Sequence, residues 1–116
     1  MNLETATLEE LELEPENALE LIALNNDKKF NLTKLAEELF ELGEVVTKMV
    51  NKGEEKAPGN EKFIEEAGDV MLRITMAGIS RMGSLELFGE LVGKRIEDKM
   101  NSLFQNVVAG KYPNFI

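Results

Sequence analysis

Apolar residues in this chain recur at spacings of three and four, and no segment sustains the two-residue alternation of a half-buried strand. That period predicts helices packed through one-sided stripes. The single alternating stretch, Leu11-Glu12-Leu13-Glu14, is too short and too rich in Glu for a strand. Thr7 and Glu10 have the form of a capping box, and Pro15 suits the first turn of a helix over residues 15–25 that carries Leu19, Ile22 and Ala23. Asn25, Asn26 and Asp27 interrupt it. Asn31 or Thr33 then offers an N-cap for a long second helix that buries Leu35, Leu39, Leu42, Val46 and Met49. Gly53, Pro58 and Gly59 bracket a loop, Asn60 offers a cap for a third helix running to about Met82, and Ser84, behind Gly83, a cap for a fourth running to about Val108. Gly110 and Pro113 mark a tail. The expectation is an all-α fold with a four-helix-bundle-like core completed by oligomerisation. It comprises an acidic arm over residues 1–14, one domain over 15–110 and a tail over 111–116. A chain of 116 residues is long enough to bury one core without staples.

Composition narrows the chemistry. The chain has no cysteine and no histidine, which removes disulfide frameworks, zinc ribbons, thiol nucleophiles, imidazole bases and the Glu-x-x-His ligands of di-iron bundles. Oxygen and amine chemistry is left. With 22 Asp plus Glu against 13 Lys plus Arg, and a formal net charge of −9, the chain is repelled by polyphosphate backbones and anionic lipid unless a bound cation or a local basic patch reverses the sign. Bulk nucleic-acid binding is not expected, nor is a membrane partner. No apolar run approaches a membrane span, and the first 20 residues lack the basic start and apolar stretch of a signal peptide. A soluble, cytoplasmic protein is the expectation.

The helical wheel shows where oxygen ligands gather. With Leu35 at zero and about 100° per residue, Glu38 and Glu41 of the second helix fall near −60° and −120°. On the third helix, with Phe63 at zero and a stripe of Phe63, Ala67, Val70, Ile74 and Ala77, Glu66 and Asp69 fall at about the same two offsets. Glu37 and Glu44 fall outward, on a solvated face. When two antiparallel helices face each other through their stripes, equal offsets emerge on the same side of the pair. Four carboxylates then converge. Without a cation they would repel one another, and an all-oxygen ligand set selects Mg²⁺ or Mn²⁺ before Ca²⁺. Magnesium held by acidic side chains commonly meets a phosphate ligand. A non-catalytic acidic helical bundle acting as an adaptor, and a metal-dependent phosphohydrolase of another cleavage pattern, are the alternatives the composition leaves open.

At these positions the chain resembles the MazG-like branch of the all-α nucleoside triphosphate pyrophosphohydrolases. The matching pieces are Glu37-Glu38-Leu39-Phe40-Glu41 and Glu66-Ala67-Gly68-Asp69-Val70, separated by 24 intervening residues, and the matched region covers about residues 31–108. The resemblance implies a four-helix fold assembled as a dimer or a dimer of dimers. It implies Mg²⁺ held by Glu38, Glu41, Glu66 and Asp69, and hydrolysis of a nucleoside triphosphate between its α and β phosphates to a monophosphate and pyrophosphate. Mn²⁺ is the possible substitute cation. Glu41, with Glu38, is the catalytic candidate, as acceptor of a proton from the attacking water. Gly68 resembles the small residue that precedes the family's Asp. Arg73, Arg95, Lys99 and Asn101 are the candidates for holding phosphate, with a salt bridge from Arg73 to Asp69 or Glu66 as the alternative; Lys34 and Lys48 are read as solvated.

Leu72, Met76 and Ile79 lie opposite the third helix's main stripe, so this helix wants cover on both sides. A partner subunit is the expected cover, and the first helix folding back is the alternative. Phe30, Phe40 and Tyr112 are candidates for stacking a base.

Overall fold

The computed structural model describes residues 2–52 and 58–111. It contains four α-helices in chain order, α1 (Pro15–Asn25), α2 (Lys28–Asn51), α3 (Asn60–Met82) and α4 (Leu85–Val108), and no strand among the described residues. α2 and α3 pack along each other as an antiparallel pair, α1 lies against α3, and α4 packs against α3 through its first turns. Among the described residues, no helix is long and apolar enough to cross a membrane. Gly53, Tyr112 and Pro113, singled out in the sequence, lie outside the described residues.

Helix ends explain the breaks. α1 starts on Pro15, whose missing N–H is one that a first turn leaves unpaired in any case. Gly83, at φ 95°, adopts the left-handed conformation that closes α3, and its N–H reaches the Ile79 carbonyl at 2.7 Å. Ser84 then caps α4 by accepting from the Leu87 N–H at 3.1 Å. A second cap comes from afar: Glu20 of α1 accepts from the Leu85 N–H at 3.0 Å, placing a carboxylate at the positive end of α4.

Two expected caps are displaced. α2 begins at Lys28, so Asn31 and Thr33 fall inside the helix rather than at its start. Asn31 is 1% exposed and ties two helices together: its Nδ2 donates to the Ala23 carbonyl at 3.0 Å, and its Oδ1 accepts from Asn26 Nδ2 at 3.1 Å. At α3 the capping position belongs to Gly59, and Asn60 is already helical. The Thr7–Glu10 capping box does form, with the Glu10 N–H on Thr7 Oγ1 at 3.2 Å. It heads a single turn that Glu12 closes at φ 54°, and α1 starts separately.

Both stripes of the central pair are turned from their expected centre. Val45 is buried, Leu35, Leu42 and Met49 are half-buried, and Leu39 and Val46 are exposed. On α3, Glu66, Val70 and Ala77 are buried while Phe63 and Ile74 are exposed. In each helix the covered band lies about 40° toward the carboxylate flank. A pair of helices covers only its seam, and that seam runs through Val45 and Val70, which leaves the far edge of each stripe in solvent.

The back of α3 is covered within the chain. Ala23 of α1 packs with Met76 and Ile79, flanked by Leu19 and Leu85, so these two α3 residues are core and not a subunit interface; Leu72 stays exposed. α1 approaches through its small residues Ala18 and Ala23, and Ile22 faces out. α4 meets α3 where Phe88 lies on Gly78, and a Cβ on Gly78 would run into the Phe88 ring. Gly78→Ala should therefore cost about 1–3 kcal/mol through overpacking. Gly68→Ala, where a Cβ meets nothing within 4 Å, should be neutral or stabilising by up to about 1 kcal/mol through helix propensity. Urea unfolding of the two variants checks the contrast, and equal losses at both sites would contradict the Phe88 contact.

Candidate functional site

Glu38 on α2 and Glu66 and Asp69 on α3 come together across the seam, each offering a carboxylate oxygen so that all three oxygens lie within 4.8 Å of one another. The turn of the stripes accounts for this closeness. Glu38 is half-buried and Glu66 is 5% exposed, so both sit in the covered band, while Asp69 reaches in from the exposed edge. Glu41, the fourth expected ligand, lies one turn along α2 from Glu38 beside the three and is not among the oxygens that gather there. It stays exposed, and its carboxyl is raised above the usual carboxylate range, chiefly by the negative charge of Glu38, then by lost solvent and by the charge of Glu66.

Among the described residues, one cation reaches the cluster. Lys62 Nζ lies 2.9 Å from Glu66 Oε1 and 3.8 Å from Glu65, and the hydrogen bond to Glu66, followed by the charges of Glu65 and Glu66, raises its ammonium above the ordinary lysine range. Lys62 accounts for one oxygen of Glu66. Glu38 Oε2 and Glu66 Oε2 remain buried with no hydrogen-bond partner, and a buried carboxylate oxygen without a donor is costly. Ionised neighbours cannot supply one, because a carboxylate only accepts. A hard cation is the kind of group that would satisfy such oxygens. Adjacent oxygens around Mg²⁺ at about 2.0–2.1 Å stand roughly 3 Å apart and opposite ones roughly 4 Å, so the donor set suits such an ion, and its oxygens, now within 4.8 Å of one another, would have to close in to bind it.

The remaining sequence candidates divide. Glu37 and Glu44 are exposed and pair on the surface with Lys34 at 3.2 Å and Lys48 at 3.9 Å, as a solvated face requires. Arg73, half-buried one turn beyond Asp69, makes no ion pair among the described residues, so the salt bridge considered for it does not form. Arg95, Lys99 and Asn101 are exposed on α4 and make no hydrogen bond or ion pair with the cluster. Phe40 is 78% exposed on the outer side of α2, in a shallow groove with Leu39, Gly43 and Thr47. Phe30 carries the Lys34 ammonium 5.6 Å from its ring centre. The sequence reading passed over Lys62. Its signal was present as the Lys62/Glu66 spacing of four on one helix face.

No family model, curated protein or solved structure matches this chain.

Crowded carboxylates oppose folding when no cation is bound. A carboxyl whose ionisation is harder in the folded chain than in the unfolded one holds its proton longer when folded, so its contribution to stability is full below its ordinary value and is lost as pH rises through the raised one. Metal-free wild type should thus lose stability as pH rises out of the acidic range, and Glu41→Gln should blunt that loss and leave the metal-free protein at neutral pH as stable or more so. Thermal unfolding in chelator at several pH values measures this. A marked drop in stability for Glu41→Gln would contradict the repulsion. A cation that binds only the folded cluster should stabilise wild type by about 2.7 kcal/mol at 100 times its dissociation constant. Calorimetry with and without Mg²⁺ should show that increment reduced in Asp69→Asn.

Proposed function

We propose that this chain is a Mg²⁺-dependent nucleoside triphosphate pyrophosphohydrolase that cleaves between the α and β phosphates, releasing a nucleoside monophosphate and pyrophosphate. The observation that carries the reading is the convergence of Glu38, Glu66 and Asp69 around two buried, partnerless carboxylate oxygens, with Glu41 alongside. The resemblance of the two acidic motifs to the MazG-like branch supplies the reaction class.

Each side chain has a part that its surroundings suit. Glu38, Glu66 and Asp69 offer the oxygens that would hold the cation, and Lys62 fixes Glu66 by occupying its other oxygen. Bound there, Mg²⁺ would supply positive charge against the phosphate oxygens and lower the pKa of a bound water. Glu41 is exposed beside the cluster, where a water molecule has access, and serves as the acceptor of the proton that the attacking water gives up. Arg73, half-buried near Asp69 and free of an ion pair among the described residues, is the nearest guanidinium in sequence to the acidic motif and the first choice for a phosphate contact. Attack by water needs no covalent intermediate, in keeping with a chain that has neither Cys nor His.

The test is a panel of ribo- and deoxyribonucleoside triphosphates incubated with Mg²⁺, or with Mn²⁺ in its place, and products resolved by chromatography. A monophosphate with pyrophosphate is expected. A diphosphate with orthophosphate would move the chain to a phosphohydrolase of another cleavage pattern, and no turnover across the panel would favour a non-catalytic bundle. Glu38→Gln and Asp69→Asn should lower turnover by about 10²-fold or more, the scale set by removal of a group that stabilises developing charge. Glu37→Gln and Glu44→Gln should leave it nearly unchanged.

A further inference from the structure

Among the described residues four ion pairs form, and three of them use acids that stand in solvent, Glu37, Glu44 and Glu65. The fourth differs. Lys62 Nζ lies 2.9 Å from Oε1 of Glu66, the one buried acid among the described residues.

Local electrostatics do not favour this lysine. It is the third residue of α3, Asn60–Met82, where the unpaired N–H groups of the first turn present positive charge and oppose a cation. It also precedes its Glu by four positions, the weaker order for a pair on one helix face. The Lys62 side chain is itself half-exposed, and a pair open to solvent on one side contributes little to stability. What the contact does impose is a constraint on Glu66.

A carboxylate has two oxygens to give. Lys62 holds Oε1, and Oε2 is buried without a hydrogen-bond partner, so Glu66 has one oxygen left for a cation shared with Glu38 and Asp69. Divalent cations differ in what they ask of such a ligand. Mg²⁺ takes about six oxygens in a near-octahedral array at about 2.0–2.1 Å, whereas Ca²⁺ takes about 6–8 at about 2.3–2.6 Å and accepts both oxygens of one carboxylate. Two oxygens on one carbon stand too close together to fill adjacent octahedral corners. Three carboxylates that give one oxygen each fill half of an octahedral shell and leave the other half open. The larger ion loses a two-oxygen ligand at Glu66 unless the Lys62 contact breaks.

We infer that Lys62 sets the cation preference of the carboxylate site: by engaging Oε1 it makes Glu66 a one-oxygen ligand and turns the site against Ca²⁺ relative to Mg²⁺. The inference rests on the reading of Glu38, Glu66 and Asp69 as cation ligands. Lys62 is then a positioning residue, acting through Glu66 without touching the ion.

Calorimetric titration of the full chain with Mg²⁺ and with Ca²⁺, at one pH and ionic strength, tests it. Lys62→Met keeps the length of the stem and loses the donor, and it should raise Ca²⁺ affinity relative to Mg²⁺ affinity by about tenfold or more, the scale set by other contacts that orient a metal ligand. The two ions carry the same charge, so loss of the lysine's positive charge alone would strengthen both alike. An unchanged ratio of the two affinities in Lys62→Met, with Mg²⁺ still bound by wild type, would overturn the inference and leave the cation site standing. Lys62→Arg restores a donor and the charge and should keep the wild-type ratio; a shift as large as in Lys62→Met would also overturn the inference. Should Lys62→Met fail to fold, Lys62→Ala, which cannot reach Glu66 either, reads the same ratio. A wild type that binds neither ion would overturn the reading of the carboxylates as ligands, and this inference with it.

Discussion

The α2/α3 seam buries a carboxylate where a helix pair would ordinarily bury an aliphatic side chain. Glu66 is 5% exposed and shares its band with Val70 and Ala77, and Glu38 faces it from the band of Leu35, Leu42 and Val45. Removing a carboxylate from water is expensive unless its oxygens are satisfied, and Lys62 satisfies one of the two on Glu66. The other structural choices are consistent with keeping that seam in register. The Asn31 amide joins α2 to the end of α1, Glu20 of α1 joins the start of α4, and Ala23 packs on the back of α3. α1, the shortest helix, thus touches all the others and fixes the frame in which the acidic groups meet.

Much of this was legible in the sequence, for stated reasons. Period and punctuation located the helices: Pro15, Gly83 and Ser84 lie where their backbone chemistry requires, and the 3.6-residue repeat separated Glu38, Glu66 and Asp69, with Glu41 beside them, from Glu37 and Glu44. Angular offset survives an error in helix length, because it depends only on residue spacing. What a wheel cannot fix is the centre of the covered band, since every apolar residue is weighted as if buried. Leu39, Val46, Phe63 and Ile74 are exposed, and removing them from the band turns it toward the carboxylates. Glu38 and Glu66 therefore lie in the seam and not beside it.

Caps were misplaced where several good capping residues follow one another. Asp27 and Asn31 could each start α2, and the choice falls on the residue that leaves Asn31 free to reach the Ala23 carbonyl, a tertiary contact with no local signature. The cover on Met76 and Ile79 was hidden for a related reason. A helix that is apolar on two sides announces a need for two neighbours without saying from which chain they come. Here α1 meets that need on α3, whereas none of the residues of α4 is buried among the described residues.

Five successive residues of α3, Met76 to Ser80, are buried, so at this point the helix is enclosed around its whole circumference by α1, α2 and the start of α4. Glu66 stands ten residues away, about 15 Å along the same rod. A rod clamped at one end can neither roll nor slide, and its free part bends only slightly. Glu66 and Asp69 are accordingly anchored to the frame. Glu38 and Glu41 stand on a helix with no such collar, since α2 buries only Asn31 and Val45 along its length. α2 is nonetheless pinned at its own start, seven residues before Glu38, where Asn31 reaches the Ala23 carbonyl, so both walls of the site lead back to α1.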